Sequence, residues 1–278
     1  MTIRLLASDV DGTLVRSDGT VSDASRDALR RATKAGLLVA FVTGRPPRWL
    51  HQIAEETGHT GVAVAGNGAV LYDLRAETVI RAHLLEPARL AQLTTQLRAA
   101  FPAVRFGVEY GMNFGYEPGY RHDWEISPSR DHRGNPIAPP RVAELPEIIT
   151  QPAVKLLAKD LAADPDRFLL DAARVVGDQA TVTTSSRTGL LEIAAPGVTK
   201  ASGLAELARS HGIHRDNVVA VGDMPNDVPM LEWAGRAYAV ANAHPSVLAV
   251  ADDVLPSNDD DGVASLIDSL LNNANRAG

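Results

Sequence analysis

Two aspartates stand one residue apart near the start of the chain. Asp9 lies within the apolar segment Leu5 to Val10, which predicts a buried strand, and Asp11 follows that segment. Gly12 predicts that the strand ends in a turn, which would bring both carboxylates toward one ligand. Carboxylates at the end of a buried strand are costly unless a cation or hydrogen-bond donors meet them. The spacing therefore predicts a pair of acids acting on one ligand, with a plain acidic turn as the alternative.

A hydroxyl group and a lysine stand at the ends of two other predicted elements. Thr43 and Gly44 follow the apolar segment Leu37 to Val42, where a hydroxyl and backbone N–H groups can hold an anion. Lys200 stands at the predicted start of a helix, where its charge opposes the helix dipole and therefore favours an anionic partner. The alternatives are a strand-to-loop turn at Thr43 and an exposed surface lysine at position 200.

A second acidic segment follows the apolar strand Val218 to Val221. It contains Asp223, Asn226 and Asp227 and precedes a predicted helix. Acids at a strand end suit Mg²⁺, which takes one or two carboxylates together with phosphate oxygens and water. Asn226 has a second interpretation as a helix cap. Together these segments predict acids, a hydroxyl and a lysine at one edge of a sheet.

Both terminal parts of the chain alternate short apolar segments with helical patterns. Ser22 predicts the start of the first helix and Gly36 its left-handed end. This alternation predicts an α/β fold with a doubly wound parallel sheet covered by helices on both faces. In such sheets ligands bind at the carboxyl ends of the strands, which is where the polar segments lie. Further strands are predicted at Gly61 to Ala65 and Ala237 to Val240.

The middle of the chain has a different pattern. Glu86 to Phe101 and Pro165 to Val176 predict helices, and Ala153 to Ala158 and Ala180 to Ser185 predict strands. We therefore predict that residues 84–190 form a second, α+β domain. It is inserted between residues 1–83 and 191–278, which together form the core domain.

Composition limits the class of protein. The chain has 278 residues, is 45% hydrophobic and carries a net charge of −7, which argues against a nucleic-acid binder. It contains no cysteine, so disulfides and thiolate metal sites are excluded. No segment approaches the roughly 18 apolar residues of a membrane span, and Asp9 comes too early for a signal peptide. We expect a cytoplasmic protein that binds no membrane, either a monomer or a small homo-oligomer.

The four polar segments, in this order, resemble the motifs of the haloacid-dehalogenase-like phosphatase superfamily. That pattern is an Asp-x-Asp-Gly-Thr start, then a Thr or Ser, a Lys, and a Gly-Asp-x-x-x-Asp segment. The position of the insert is similar to that of the Cof-type branch, which has a large α/β cap. Residues 66–69 (Gly-Asn-Gly-Ala) and 241–245 (Ala-Asn-Ala-His-Pro) match the same branch. The resemblance implies a Rossmann-like core and an inserted cap that selects the substrate.

The resemblance also implies roles for individual residues. Asp9 would be the nucleophile, and Asp11 would protonate the leaving oxygen and then deprotonate the attacking water. Mg²⁺ is the implied cofactor, and a small phosphorylated metabolite such as a sugar phosphate is the implied substrate. The implied metal ligands are Asp9, Asp223 and the backbone carbonyl of Asp11. The implied phosphate contacts are Thr43, Gly44, Lys200 and Asn226. Asp227 would complete the site by contacting these residues and not the metal itself.

Several alternatives stay open at this point. A phosphomutase or phosphotransferase of the same fold would use the same Asp9 but protect the aspartyl-phosphate from water. A binding protein without catalysis could keep the scaffold, although it would need no acid at Asp11. In the insert, we hypothesise that part of a polar and aromatic segment faces the substrate, with a surface loop as the alternative; its candidates are Tyr110, Asn113, Tyr116, Glu117, Tyr120, Arg121, His122, Asp123 and Trp124.

Overall fold

The computed structural model of the protein describes residues 3–121, 139–185 and 188–277, and their side chains as far as residue 273. The described strands are β1 (Leu5–Ser8), β2 (Leu38–Val42), β3 (Val62–Ala65), β4 (Val70–Asp73), β5 (Thr78–Ala82), β6 (Arg105–Glu109), β7 (Phe114–Tyr116), β8 (Arg141–Val142), β9 (Lys155–Lys159), β10 (Thr181–Thr183), β11 (Leu190–Ala194), β12 (Val218–Gly222), β13 (Arg236–Val240) and β14 (Asp253–Leu255). The described α-helices are α1 (Asp23–Lys34), α2 (Leu50–Thr57), α3 (Pro87–Ala100), α4 (Leu145–Ile148), α5 (Pro165–Val176), α6 (Lys200–Ser210), α7 (Val228–Trp233), α8 (Pro245–Leu248) and α9 (Gly262–Ala277).

The chain divides into two compact units. The first unit contains residues 1–44, 50–81 and 199–278, and the second contains residues 45–49 and 82–198. The short segment 45–49 therefore leaves the first unit between β2 and α2. The predicted second domain, 84–190, ends eight residues before the second unit does.

The first unit is built on an eight-stranded sheet of order β14-β13-β12-β1-β2-β3-β4-β5. The strands from β14 to β3 run parallel to their neighbours, as the alternating pattern predicts. β4 differs, because it runs antiparallel to β3 after a tight turn. β1 lies between β2 and β12, with Ser8 in register with both Phe41 and Val221. The carboxyl ends of these three strands, where the polar segments begin, consequently lie side by side.

Local sequence signals explain the boundaries of the first helix and of the central strands. β1 and β12 are buried along their whole length, which is what continuous apolar segments in a parallel sheet require. The Ser22 side chain accepts a hydrogen bond from the N–H of Ser25 and caps α1. Beyond that helix Gly36 has a φ of 84°, a left-handed conformation that glycine adopts without steric cost. Both predictions for this helix are confirmed.

The second unit has its own six-stranded sheet of order β10-β11-β9-β6-β7-β8. Its pairs are antiparallel except for β7 with β8. α3 and α5 supply Leu90, Leu93, Phe168 and Ala172 to a core that the sheet completes. β11 pairs with β9 over residues 190–193, so the segment 191–198 belongs to this unit and not to the first, where the sequence had placed it. Strand pairing over long sequence separations decides such a boundary, and no local signal marks it.

None of the helices in the described part of the chain combines the length and the apolar character that a membrane crossing would require.

Candidate active site

Lys200 lies at the centre of a buried cluster of charges at the carboxyl edge of the first sheet. Its ammonium donates hydrogen bonds to Oδ1 of Asp9 at 2.7 Å and to Oδ1 of Asp227 at 2.6 Å. The side chains of Lys200 and Asp227 are fully buried, and that of Asp9 is 6% exposed. The lysine is therefore not the exposed surface residue that its position at a helix start allowed. It is an internal cation shared by two carboxylates.

The carboxylate of Asp227 is held from two sides. Its Oδ2 accepts hydrogen bonds of 3.0 Å from the backbone N–H groups of Asp223 and Met224, while Oδ1 receives Lys200. Gly222 makes room for this arrangement, because a Cβ there would lie 2.5 Å from Cγ of Asp227. Asp227 thus folds back over the end of β12 and fixes both the acidic loop and the lysine.

Asp223 is positioned by the turn that follows β1. The Thr13 hydroxyl donates a 2.8 Å hydrogen bond to Oδ1 of Asp223, and both residues are buried. Gly12 in the same turn has a φ of 77°, and a Cβ there would lie 2.5 Å from Oδ2 of Asp223. Only a residue without a side chain lets the two loops approach this closely. The His244 N–H also donates a 2.8 Å hydrogen bond to the carbonyl of Asp223.

The carboxylates form a group that can hold a metal ion. One oxygen each from Asp9, Asp223 and Asp227 lies within 4.8 Å of the others, and all three residues are buried. Three carboxylates face the single positive charge of Lys200, so a further cation would balance the cluster when all three are ionised. Hard oxygen ligands of this kind suit Mg²⁺. Since both oxygens of Asp227 already accept hydrogen bonds, Asp9 and Asp223 are the better placed direct ligands.

The electrostatics of the cluster reflect its burial. Burial raises the pKa of Asp9, and the neighbouring charge of Asp227 raises it further against the opposing effect of Lys200. Burial, followed by the charge of Asp227, raises the pKa of Asp223 from 3.8 to about 6. Burial by itself would lower the pKa of Lys200, but the charges of Asp227 and Asp9 outweigh it and raise that pKa. The lysine is therefore charged, and Asp9 and Asp227 share its hydrogen bonds.

The remaining predicted residues lie around this cluster to different degrees. Asp11 is exposed and pairs with Val15 in a single β-bridge, and its charge is one of the causes that raise the pKa of Asp9. Thr43 is buried at the end of β2, and Gly44 follows it half-buried. The buried Asn226 donates from Nδ2 to Oδ1 of Asn67 at 3.0 Å. The structure thus brings together Asp9, Lys200, Asp223 and Asp227 through direct contacts, and it places the others on the loops beside them.

Sequence reasoning gave no role to three residues that hold the site together. Thr13 positions Asp223, and Asn67 contacts Asn226. Asn242 donates from Nδ2 to the carbonyl of Gly12 at 2.8 Å, and its Oδ1 accepts from the N–H of Asn258. Asn67 and Asn242 both lie in short segments that match the Cof-type branch. These two segments were therefore recognisable in the sequence. The roles of Asn67 and Asn242 depend on contacts between distant segments, which the sequence does not show.

The candidate substrate-facing segment of the second unit is partly used for that unit's own packing. The Tyr110 hydroxyl donates to the carbonyl of Ile148. The Glu117 carboxylate accepts from Arg98 and from the N–H of Phe106 at 2.7 Å. Phe114, Tyr116 and Tyr120 pack against one another. His122, Asp123 and Trp124 lie outside the described residues.

Comparison with known proteins identifies a family. Residues 6–267 match the model of the family described as haloacid dehalogenase-like hydrolase. A 5-amino-6-(5-phospho-D-ribitylamino)uracil phosphatase of Bacillus subtilis is 29% identical over 95% of this chain and 94% of its own length. A pyridoxal phosphate phosphatase of Escherichia coli is 28% identical over 98% of this chain and its own full length.

A solved structure shares the fold. A haloacid dehalogenase-like hydrolase from Bacillus subtilis aligns with a TM-score of 0.82, covering 96% of this chain and 99% of its own at 23% identity. The family match spans most of the chain and includes every segment that carries the acidic cluster. The chain therefore belongs to the haloacid dehalogenase-like hydrolases, as its motifs predicted.

Proposed function

We propose that this protein is a magnesium-dependent phosphatase that hydrolyses a small phosphomonoester through an aspartyl-phosphate on Asp9. One observation carries the proposal: the buried ammonium of Lys200 contacts Asp9 at 2.7 Å, beside two further carboxylates. A nucleophilic carboxylate that must approach a phosphate dianion needs a fixed positive charge beside it, because the reactants repel each other. The matched relatives are phosphatases by name, which supports this reaction class.

In the first step, an oxygen of Asp9 attacks phosphorus and the bond from phosphorus to the leaving oxygen breaks. Asp11 donates its proton to that oxygen, so a neutral alcohol departs. In the second step, Asp11 takes a proton from a water molecule that attacks the same phosphorus. The bond to Asp9 then breaks and inorganic phosphate leaves. The exposed position of Asp11 suits this role, since it must exchange protons with both the leaving group and water.

Lys200 and Asp227 prepare Asp9 for attack. The hydrogen bond from Lys200 fixes one oxygen of Asp9, and Asp227 fixes Lys200 from the other side. A nucleophile held in one orientation loses less entropy when it reacts. We assign contacts with the phosphoryl oxygens to Lys200, Thr43, Gly44 and Asn226. The residues that would hold Mg²⁺ are Asp9, Asp223 and the Asp11 carbonyl, and the bound ion would offset negative charge on the phosphoryl group.

The same site supports a proposal for the substrate class. A site with one lysine and one divalent cation is suited to a single phosphomonoester group on a small molecule. The matched relatives named above act on a phosphoribityl-aminouracil and on pyridoxal phosphate. We propose a sugar-phosphate-like or cofactor-like phosphomonoester for this chain, and we propose that the second unit selects it.

The direct test is phosphate release from a panel of phosphomonoesters with either Mg²⁺ or EDTA. We expect turnover by the wild type only with Mg²⁺, and none above background by Asp9→Asn. Asp216→Asn is the matched control, because Asp216 is an exposed aspartate of the same unit. If Asp9→Asn turns over substrate as fast as the wild type, Asp9 is not the nucleophile. Phosphate transfer between two substrates without release of free phosphate would favour a phosphomutase or phosphotransferase instead.

A further inference from the structure

A strained turn follows β3 in the first unit. Asn67 has a φ of 58° and a ψ of 34°, and it lies between Gly66 and Gly68, whose φ values are also positive. Only asparagine and aspartate adopt this left-handed conformation with any regularity besides glycine. Asn67 is 2% exposed, so the turn is buried and not a surface bend. A strained buried residue of this kind is most often kept for a function.

The backbone of this turn contacts two segments that carry proposed phosphate contacts. The N–H of Asn67 donates a 3.0 Å hydrogen bond to the carbonyl of Thr43. Gly68 packs directly against the residue before Lys200, because a Cβ on Gly68 would lie 2.0 Å from the carbonyl oxygen of Thr199. The turn therefore sets the spacing between the end of β2 and the start of α6.

The side chain of Asn67 contacts the third such segment. Its Oδ1 accepts a 3.0 Å hydrogen bond from Nδ2 of Asn226, which is 3% exposed and lies between Asp223 and Asp227. The Oδ1 of Asn226 is buried and has no hydrogen-bond partner among the described residues. An unmet buried acceptor is costly unless a ligand or its bound water supplies a donor. The Asn226 amide is thus held by Asn67 with part of its hydrogen-bonding capacity unused.

We propose that Asn67 is a positioning residue for the phosphate site and that it acts through Asn226. This inference rests on the proposed phosphatase function. By engaging one hydrogen of the Asn226 amide, Asn67 fixes the plane of that amide. The second N–H can then donate a hydrogen bond to a phosphoryl oxygen. Oδ1 can accept a hydrogen bond from a water molecule bound beside the phosphate. In this proposal Asn67 acts through its hydrogen bond with Asn226 and not through a contact of its own with the phosphate.

The competing explanation is that Asn67 serves only the left-handed backbone. Asn67→Gly separates the two, because glycine adopts a φ of 58° without strain and removes only the side chain. Glu77→Gly is the matched control, since Glu77 also has a positive φ, of 55°, and lies outside the site. Asn226→Ala and the double variant Asn67→Gly/Asn226→Ala complete the set.

We would measure the Kd of inorganic phosphate at saturating Mg²⁺ by calorimetry, together with kcat, KM and thermal unfolding. We expect Asn67→Gly to unfold within a few degrees of the wild type and to bind phosphate about tenfold more weakly. We expect the double variant to be no worse than Asn226→Ala, because Asn67 acts only through that residue. Glu77→Gly should bind phosphate like the wild type.

Wild-type phosphate affinity in Asn67→Gly, or losses that add in the double variant, would overturn the positioning role. The phosphatase proposal fails separately, if the wild type binds phosphate with Mg²⁺ but hydrolyses no phosphomonoester. In that case the change in phosphate Kd still decides the role of Asn67. A wild type that binds no phosphate even at millimolar concentration would overturn the inference as well.

Discussion

Nζ of Lys200 lies 2.7 Å from Oδ1 of Asp9, although the two residues are 191 positions apart along the chain. Lys200 is the first residue of α6, and Asp9 follows β1. A lysine at a helix start is unfavourable by itself, and the two carboxylates that it contacts offset this cost. The pair joins the two distant segments on which the proposed chemistry depends.

We expect Lys200→Met to destabilise the protein by about 3–5 kcal/mol at neutral pH, because it leaves Asp9 and Asp227 buried without their cation. The loss should shrink at acidic pH, where the carboxylates are protonated and no longer need a cation. Urea unfolding at several pH values would measure it, with the exposed Lys34→Met as control. An equal loss at all pH values would contradict this account.

Replacing Gly12 tests the approach of the first turn to Asp223. Gly12 and Gly19 have similar φ values of 77° and 83°, but a Cβ on Gly19 meets nothing within 4 Å. Gly19→Ala should therefore cost only the backbone strain, about 1–2 kcal/mol. Gly12→Ala should cost more and weaken Mg²⁺ binding about tenfold, because the methyl group displaces the Asp223 carboxylate. Calorimetric titration with Mg²⁺ would show whether the two variants differ.

Removal of the metal should make stability depend on pH through Asp223. The pKa of this residue is raised by burial from 3.8 to about 6, so the folded protein binds more protons than the unfolded chain between these values. Its contribution to stability therefore falls as pH rises from about 4 to above 6. In EDTA, we expect Asp223→Asn to unfold at a higher temperature than the wild type at pH 7, but not at pH 4.

Mg²⁺ should reverse this effect in the wild type, since it satisfies the acids that repel one another. At a free concentration of 100 times Kd, a single bound ion stabilises by about 2.7 kcal/mol. Asp223→Asn should lose most of this gain, whereas Asp216→Asn should keep it. An identical shift of the unfolding temperature in wild type and Asp223→Asn would exclude Asp223 as a ligand.

We expect a second, separate pH dependence of stability from His59. Burial lowers the pKa of His59 from 6.5 to about 4, and its Nε2 has no hydrogen-bond partner among the described residues. Between these values the unfolded chain binds the extra proton, so stability falls as pH drops from about 6.5 to 4, by up to about 3 kcal/mol. His59→Leu should remove this part of the acid sensitivity. The variant His83→Leu is the control for replacing a histidine at an exposed position.

The sequence alone determined the features that local patterns encode. Continuous apolar segments predict β1, β2 and β12, and Ser22 and Gly36 mark the ends of α1. These signals need only a few neighbouring residues, because strand burial and helix capping are local effects. The four motifs were equally visible, and so was the family to which the chain belongs. The roles assigned to individual site residues, Asp9 and Asp11 above all, stay predictions until the variants are measured.

Only the tertiary structure decided how these segments meet. It made Asp227 a hydrogen-bonded anchor for Lys200 and the acidic loop, and it brought Gly12 against Asp223. It also placed β11 in the second unit by pairing it with β9. Each of these relationships depends on packing between residues far apart in the chain, where the choice among possible partners is made by burial and hydrogen bonding of the whole fold. The sequence identifies the polar side chains of the site. Their contacts follow from the way the sheet brings its strand ends together.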